Sequence, residues 1–316
     1  MAVYLDDDVV MSQLGTADAF ACVERAFRLL SDGKAVNAPR LRSAIGSAVL
    51  NVMWAMAPSE GVMGVKSYPI VHEDTTQGVV LNLLVYSIDT GELLAMMKAD
   101  RLGQLRTGAA TAVASKALAR GDAKNLAVYG TGFQAETQIK ALTAAMPGLE
   151  VVNVVGRNEN HRDSFIARMR DEVDVDIRKS DAEPAARSAD IIVTATNSAD
   201  PVVLGDWIAP GTHINAVGSN APTKREVDRA VLEKAAVVVV DDLEVAAIDC
   251  GDLLVNEWDL GSVGTVGDLL TGRIPGRQSP EDITLFESQG IALQDIVCAG
   301  LVISRAAERG LGFRIG

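Results

Sequence analysis

Gly130-Thr131-Gly132-Phe133-Gln134-Ala135 follows the apolar run NLAVY and opens a helical stretch. Strand, glycine turn and helix in that order give the GxGxxA form of a dinucleotide-binding turn. The first glycine makes the tight turn and the second lets the backbone approach a pyrophosphate. Ala135 keeps helix and strand close, so the helix N-terminus faces the phosphates. Gly310-Leu311-Gly312 has neither a strand before it nor a helix after it and is read as chance. An acidic residue at the tip of the next strand would accept hydrogen bonds from an adenosine ribose. Here VVNVV runs into Gly156-Arg157-Asn158 instead. Arg157 suits adenine stacking or a 2′-phosphate, which favours NADP over NAD; nearby Glu159 keeps NAD open.

A second group of residues is basic. Lys66 sits in the apolar β-rich run GVMGVKSY, where a lysine must either snorkel out or face a polar cleft. Arg106 lies in QLRTGAAT, and Arg40 and Arg42 are spaced to share one face of a strand. Each alone reads as a solvated charge. Ahead of a hydride-transfer domain, whose typical small substrates are carboxylates, they become candidates for bidentate carboxylate binding. His72, in VHED, reads as a solvated turn histidine, and Trp54 as core or pocket wall.

The elements that must position these residues change rhythm near residue 120. The first helix is expected from Thr16 as N-cap, through Phe20, Val23, Phe27 and Leu30, to a stop at Gly33. Val49–Met56, Gly64–Ile70, Val79–Ser87 and the stretch after the Asp89–Gly91 turn predict a mixed or antiparallel sheet. A long helix follows from Asp100 to Gly121, rich in small residues around Gly108 that suit close packing. After Asn125, unbroken Val/Ile/Ala strands (VVNVVG, ADIIVTAT, THINAVG, AAVVVVDD) alternate with helices, as in a doubly wound parallel sheet. The last ~35 residues are expected to be helical.

Composition bounds the function. The chain has 316 residues, 48% hydrophobic and 22% charged, enough for a packed core and for one or two domains. A net charge of −13 argues against nucleic-acid and membrane-surface partners. No apolar run reaches membrane-spanning length, and the acidic start MAVYLDDDVV does not read as a secretory signal. Three scattered cysteines fit reduced thiols in a cytoplasm. No zinc motif, GxSxG elbow or phosphate loop is present, and no metal is expected.

GVKSYPI…QGVVLNLLVYSIDTGELLAMMKADRLGQLRTGAATAVASKALA…AVYGTGFQA resembles the ornithine cyclodeaminase/mu-crystallin family. SADIIVTATNSADPVV, PGTHINAVGSNAPTKREVD and DITLFESQGIALQD extend the likeness in order over nearly the whole chain. The resemblance implies an α/β fold: a Rossmann doubly wound sheet, 119–291, inserted in an α+β substrate and dimerisation domain, 1–118 plus 292–316. It also implies a homodimer in which sheets of the two chains pack together. Lys66 and Arg106 match the family's substrate-carboxylate ligands, with Arg42 as third and Arg40 as alternative. Thr107 and the Gly130–Ala135 turn, Arg157, Asn158, Thr196, Asn197, Ser198, Val217, Gly218 and Ser219 are implied cofactor contacts.

One departure bears on chemistry. Ornithine cyclodeaminases carry an aspartate as general base before Pro-x-Lys; this chain has Asn220, and an amide cannot take a proton at neutral pH. Val52–Ala55 also lacks the acid used for a distal amine. The implied activity is reduction of a small α-imino acid, or its reverse, with NADP or NAD. Lys66 would donate a proton if neighbouring cations lower its pKa, and Asn220 would bind the nitrogen or a water. The gathered cations suggest a dicarboxylate such as iminosuccinate. A diamino-acid cyclodeaminase and a non-catalytic cofactor-binding protein of the crystallin type are the alternatives.

Overall fold

A computed structural model describes residues 2–71 and 80–315. His72 and Val79 lie outside the described residues. Along the chain come β1 (Ala2–Leu5), α1 (Asp7–Gln13), α2 (Thr16–Ser31), β2 (Val36–Asn37), β3 (Leu41–Ile45), β4 (Ala48–Ala57), β5 (Val62–Val71), β6 (Asn82–Ser87), β7 (Leu93–Lys98) and α3 (Asp100–Leu118). Then follow β8 (Asn125–Tyr129), α4 (Phe133–Ala145), β9 (Val151–Val155), α5 (Glu159–Arg170), β10 (Asp176–Lys179), α6 (Ala182–Ser188), β11 (Ile191–Thr194), β12 (His213–Ala216), α7 (Arg229–Lys234) and β13 (Ala235–Val240). α8 (Leu243–Asp249), α9 (Gly251–Val255), β14 (Gly264–Thr265), α10 (Val266–Leu270), β15 (Ile283–Glu287), α11 (Ala292–Arg309) and β16 (Phe313–Ile315) complete the order. The chain divides into Met1–Arg106 with Ile291–Gly316, and Thr107–Gly290. The first division falls inside α3 after Arg106, where the sequence reading placed it after the helix.

In the first unit the sheet runs β16-β1-β7-β6-β5-β4-β2, with β3 on β4. It is mixed: β1 pairs parallel with β7, and the remaining pairs are antiparallel. α11 packs on β4, β5 and α2. β4 shows why only one face is covered. Asn51, Met53, Ala55 and Ala57 are buried while Leu50 and Trp54, alternating with them, are exposed. Trp54 therefore stands on the outer face and is not core. The α2 cap also differs from expectation: Gly15 is the N-cap, its N–H held by the Asp18 carboxylate at 3.1 Å, and Thr16 is already helical.

In the second unit all strand pairs are parallel, in the order β10-β9-β8-β11-β12-β15-β13-β14. Alternate residues of β8 feed two cores: Leu126 and Val128 one, Ala127 and Tyr129 the other. Burial on both faces explains the unbroken apolar runs. The strand order reverses between β8 and β11, and in doubly wound sheets ligands lie beyond the carboxyl ends of strands at such a switch. Gly108 of α3 has Thr137 of α4 against it: a Cβ there would come within 2.6 Å of the Thr137 hydroxyl. The small side chains around Gly108 thus serve a close approach of α3 to α4.

Candidate active site

The glycine turn after β8 has the geometry a dinucleotide needs. Gly130 adopts φ +119°, and a Cβ there would overlap the Ala195 carbonyl. Gly132 is the N-cap of α4 and supplies no side-chain acceptor, and a Cβ on it would meet nothing within 4 Å. The N-cap of α4 thus brings no side-chain acceptor of its own and leaves open space at the cap, which fits a pyrophosphate. Phe133 is exposed, Thr131 and Gln134 are half-buried, and Ala135 is fully buried against the sheet.

Beyond β9, Arg157 is exposed, and Asn158 caps α5 by accepting the His161 N–H at 3.0 Å. Arg162 belongs to none of the sequence motifs. It is only 8% exposed, its Cβ lies against Gly156, and Gly156 in turn adjoins the Thr131 methyl. Its ion pairs to Glu159 and Asp163 are long, 3.8 Å each. Its position on the inner face of α5 was the available signal.

Two further loops leave the carboxyl ends of β11 and β12, and both close on Glu226. The Thr194 hydroxyl donates to Glu226 at 2.8 Å, and the backbone N–H groups of Thr196 and Gly218 donate at 2.6 Å each. Asn197 is exposed, and Ser198 donates its hydroxyl to the Asp200 carbonyl at 2.6 Å. Val217 and Ser219 are buried, and Ser219 donates to Glu287 at 3.2 Å. Asn220 accepts from Lys224 Nζ at 3.1 Å, so its amide oxygen has a cationic donor. Thr107 is buried within α3, its carbonyl accepting from the Thr111 hydroxyl.

Glu226, Asp252 and Glu287 are all fully buried. Burial pushes the Glu226 carboxyl up to about 7, against the lowering pull of its Thr196 and Thr194 hydrogen bonds. Asp252 and Glu287 are raised for the same reason. Glu226 and Glu287 fall within the stretches PGTHINAVGSNAPTKREVD and DITLFESQGIALQD, and Asp252 outside them, but no residue type or spacing there marks the three as a cluster.

The first unit gathers the basic residues. Lys66, on β5, is 3% exposed and donates to both Asp295 oxygens at 3.1 and 3.0 Å. Arg106 donates Nε to the same carboxylate at 3.2 Å and Nη1 to Gln294 at 2.9 Å. Alternation in β5 turns Lys66 to the face that α11 covers, and α11 brings Asp295 to it. So the lysine neither snorkels nor lies unanswered. Burial lowers its pKa to about 8, Asp295 raising it and Arg106 and Arg40 lowering it further. Asp295 was missed; a lone carboxylate on the apolar face of IALQDIVCAG was the signal.

Arg42 pairs in register with Asn51, and Asn51 with Tyr68, so Arg42 stands on the sheet face that carries Lys66. Strand β3 begins only at Leu41, so alternation does not extend to Arg40. Arg40 is 7% exposed and near enough to Lys66 to influence it, whereas Arg42 is exposed and donates Nε to Asn51 at 3.1 Å. Arg40 thus bears on the charge of the Lys66–Arg106 cluster, and Arg42 lies on the same face in a more exposed place. Cys22, Cys250 and Cys298 are buried free thiols. Among the described residues no cluster could hold a metal, and no helix is long and apolar enough to cross a membrane.

Residues 2–310 match the ornithine cyclodeaminase/mu-crystallin family. The chain belongs to this family. It is 34% identical to the alanine dehydrogenase of Archaeoglobus fulgidus over 98% of this chain and 97% of that one. Among solved structures, Δ1-pyrroline-2-carboxylate reductase of Thermococcus litoralis, in complex with NADH and L-proline, matches with TM-score 0.94 and 30% identity over 99% and 100% of the two chains. An archaeal alanine dehydrogenase dimer with bound NAD matches with TM-score 0.94 and 33% identity over 100% and 99%. These relatives bear the names of an amino-acid dehydrogenase and an imino-acid reductase, and the two solved structures hold NADH or NAD.

Proposed function

We propose that this family member reduces small α-imino acids, open-chain or cyclic, to amino acids with a nicotinamide dinucleotide, or catalyses the reverse. The observation that carries the reading is the buried Lys66–Asp295–Arg106 cluster, in a family whose relatives handle imino and amino acids. When bound, the reduced cofactor supplies a hydride to the imine carbon. Arg106, Arg40 and Lys66 would hold the substrate carboxylate, so their contribution is orientation and charge. An iminium gains an electron pair at nitrogen as the carbon gains the hydride. The Lys66 ammonium, with its pKa near 8, then supplies the proton that the new amine takes up. Asp295 fixes the lysine between turnovers, and Asn220 would bind the nitrogen or a water.

The second unit offers the cofactor residues. α4 and the Gly130–Gly132 turn would take the pyrophosphate, and the Thr196–Ser198 and Val217–Ser219 loops the nicotinamide end. Arg157 and the buried Arg162 favour a 2′-phosphate, hence NADP over NAD. A homodimer is part of the reading: Leu41, Ile45, Leu50 and Trp54 are exposed on one sheet, 65%, 85%, 50% and 38% respectively, and a partner's sheet would cover them. Sedimentation showing a monomer at micromolar concentration would refute it.

A substrate panel tests the reaction: pyruvate or oxaloacetate with ammonia or methylamine, and Δ1-pyrroline-2-carboxylate, each with NADPH and NADH. Reduction of at least one imine is expected. A dicarboxylate preference, suggested by the gathered cations, fails if oxaloacetate with ammonia turns over no faster than pyruvate with ammonia. Ammonia release from ornithine without net cofactor oxidation would favour a cyclodeaminase, against which Asn220 stands.

A further inference from the structure

Glu226 lies in the loop between β12 and α7, and its carboxylate joins two other loops. One oxygen accepts from Thr196 N–H at 2.6 Å; the other accepts from the Thr194 hydroxyl at 2.8 Å and Gly218 N–H at 2.6 Å. The first two donors end β11 and the third follows β12. The loops leave no room between them. A Cβ on Gly218 would overlap the Thr196 carbonyl and stand 2.6 Å from the Glu226 carboxylate. Glu226 is itself anchored: Asp252 accepts its N–H at 2.8 Å and that of Val227 at 2.9 Å. A fully buried acid with three converging donors and a second acid beneath it is costly to build for packing alone.

We propose that Glu226 is a positioning residue for the nicotinamide end of the cofactor. As a carboxylate it locks the loops after β11 and β12 in the arrangement that binds the dinucleotide. This rests on the reading above that a dinucleotide lies along this edge of the sheet. The Thr196 and Gly218 N–H groups and the Thr194 hydroxyl are all donors, so the ionised form satisfies them together, while a proton on either Glu226 oxygen competes with a donor already there. The charged groups that bear on Glu226 are acidic. Asp252 raises it, and Glu287 at the end of β15 interacts unfavourably with it; Arg225, next in the chain, stabilises the Asp252 charge. With Glu226 near 7, the clamp loosens as pH falls through neutrality.

The test is the dissociation constant of NADH for the full-length protein, read by fluorescence between about pH 6 and 8.5, with folding checked by circular dichroism. Wild type is expected to bind more tightly as pH rises through about 7. Glu226→Gln sets an amide N–H₂ against backbone N–H donors. It should weaken NADH by about tenfold or more at the alkaline end, the scale of a lost hydrogen bond to a charged group, and flatten the profile. Thr194→Val removes one donor that favours the carboxylate, so the midpoint should move to higher pH; this variant decides the matter if Glu226→Gln does not fold. A flat wild-type profile, an unmoved midpoint in Thr194→Val, or wild-type NADH affinity in Glu226→Gln would overturn the role. Failure of wild type to bind any nicotinamide dinucleotide would instead sink the cofactor reading itself.

Discussion

Two buried ionic clusters, one in each unit, meet the same desolvation cost in different ways. In the first, Lys66 and Arg106 share the carboxylate of Asp295, so charge answers charge. In the second, Glu226, Asp252 and Glu287 are all acids, answered by backbone N–H groups and hydroxyls and by a rise in pKa. The mixed cluster keeps cationic donors that an anionic substrate can use. The acidic cluster spends its acceptors on loop geometry and offers a substrate carboxylate only repulsion. Burial and ionisable side chains alone thus do not mark a binding site; the sign of the charge and the origin of its partners decide what each cluster can do.

The strongest way to break this contrast is to unbalance the mixed cluster. Asp295→Ala leaves two buried cations without their carboxylate and should cost about 3–5 kcal/mol of stability, read by chemical denaturation. A cost under about 1 kcal/mol, the scale of an exposed pair, would mean that water reaches these charges. Next, Lys66→Met should lower imine reduction by about 10²–10³-fold, the scale of a lost preorganised donor, while NADH binding stays as in wild type. Wild-type turnover would remove Lys66 from the site.

Stability against pH should then separate the clusters by sign. Lys66 falls from 10.5 to about 8 on folding, so between those values the unfolded chain holds more protons and stability rises with pH. Glu226 rises from 4.5 to about 7, so the folded chain holds more protons in that window and stability falls as pH rises. Lys66→Met should flatten the alkaline slope and Glu226→Gln the acidic one; slopes unchanged in both would contradict the two shifts. The smallest expected effect is at the nucleotide end: Arg162→Ala should weaken NADPH several-fold relative to NADH, the worth of one charge-assisted contact to phosphate. An unchanged ratio would leave the 2′-phosphate to Arg157 alone.

Much of this architecture was legible because it is local and periodic. Buried parallel strands announce themselves as unbroken Val and Ile runs, and the Gly130 turn carries its conformation in its residue types. The edge strand Asp176–Lys179, with three charges in four residues, has no such signature and emerges only from its pairing with β9. Likewise Ala2–Leu5 is held between β7 and β16, a partnership distant in the chain. The site divided the same way. Lys66 and Arg106 stood out as charges among apolar residues. Asp295, on a helix 229 positions from Lys66, became their partner only through folding, and Glu226 matters only because two loops converge on it. Arg40 precedes β3, which starts at Leu41, so side-chain alternation could not place it beside Arg42.

The central claim is that the mixed cluster serves imine reduction. Its most direct test is the initial rate of NADPH and NADH oxidation by the purified protein across the imine panel, wild type beside Lys66→Met. The expected result is substrate-dependent oxidation by wild type with at least one α-imino acid, largely lost in Lys66→Met although that variant still binds NADH. Bound cofactor with no oxidation by any imine, or equal rates in the two proteins, would contradict it.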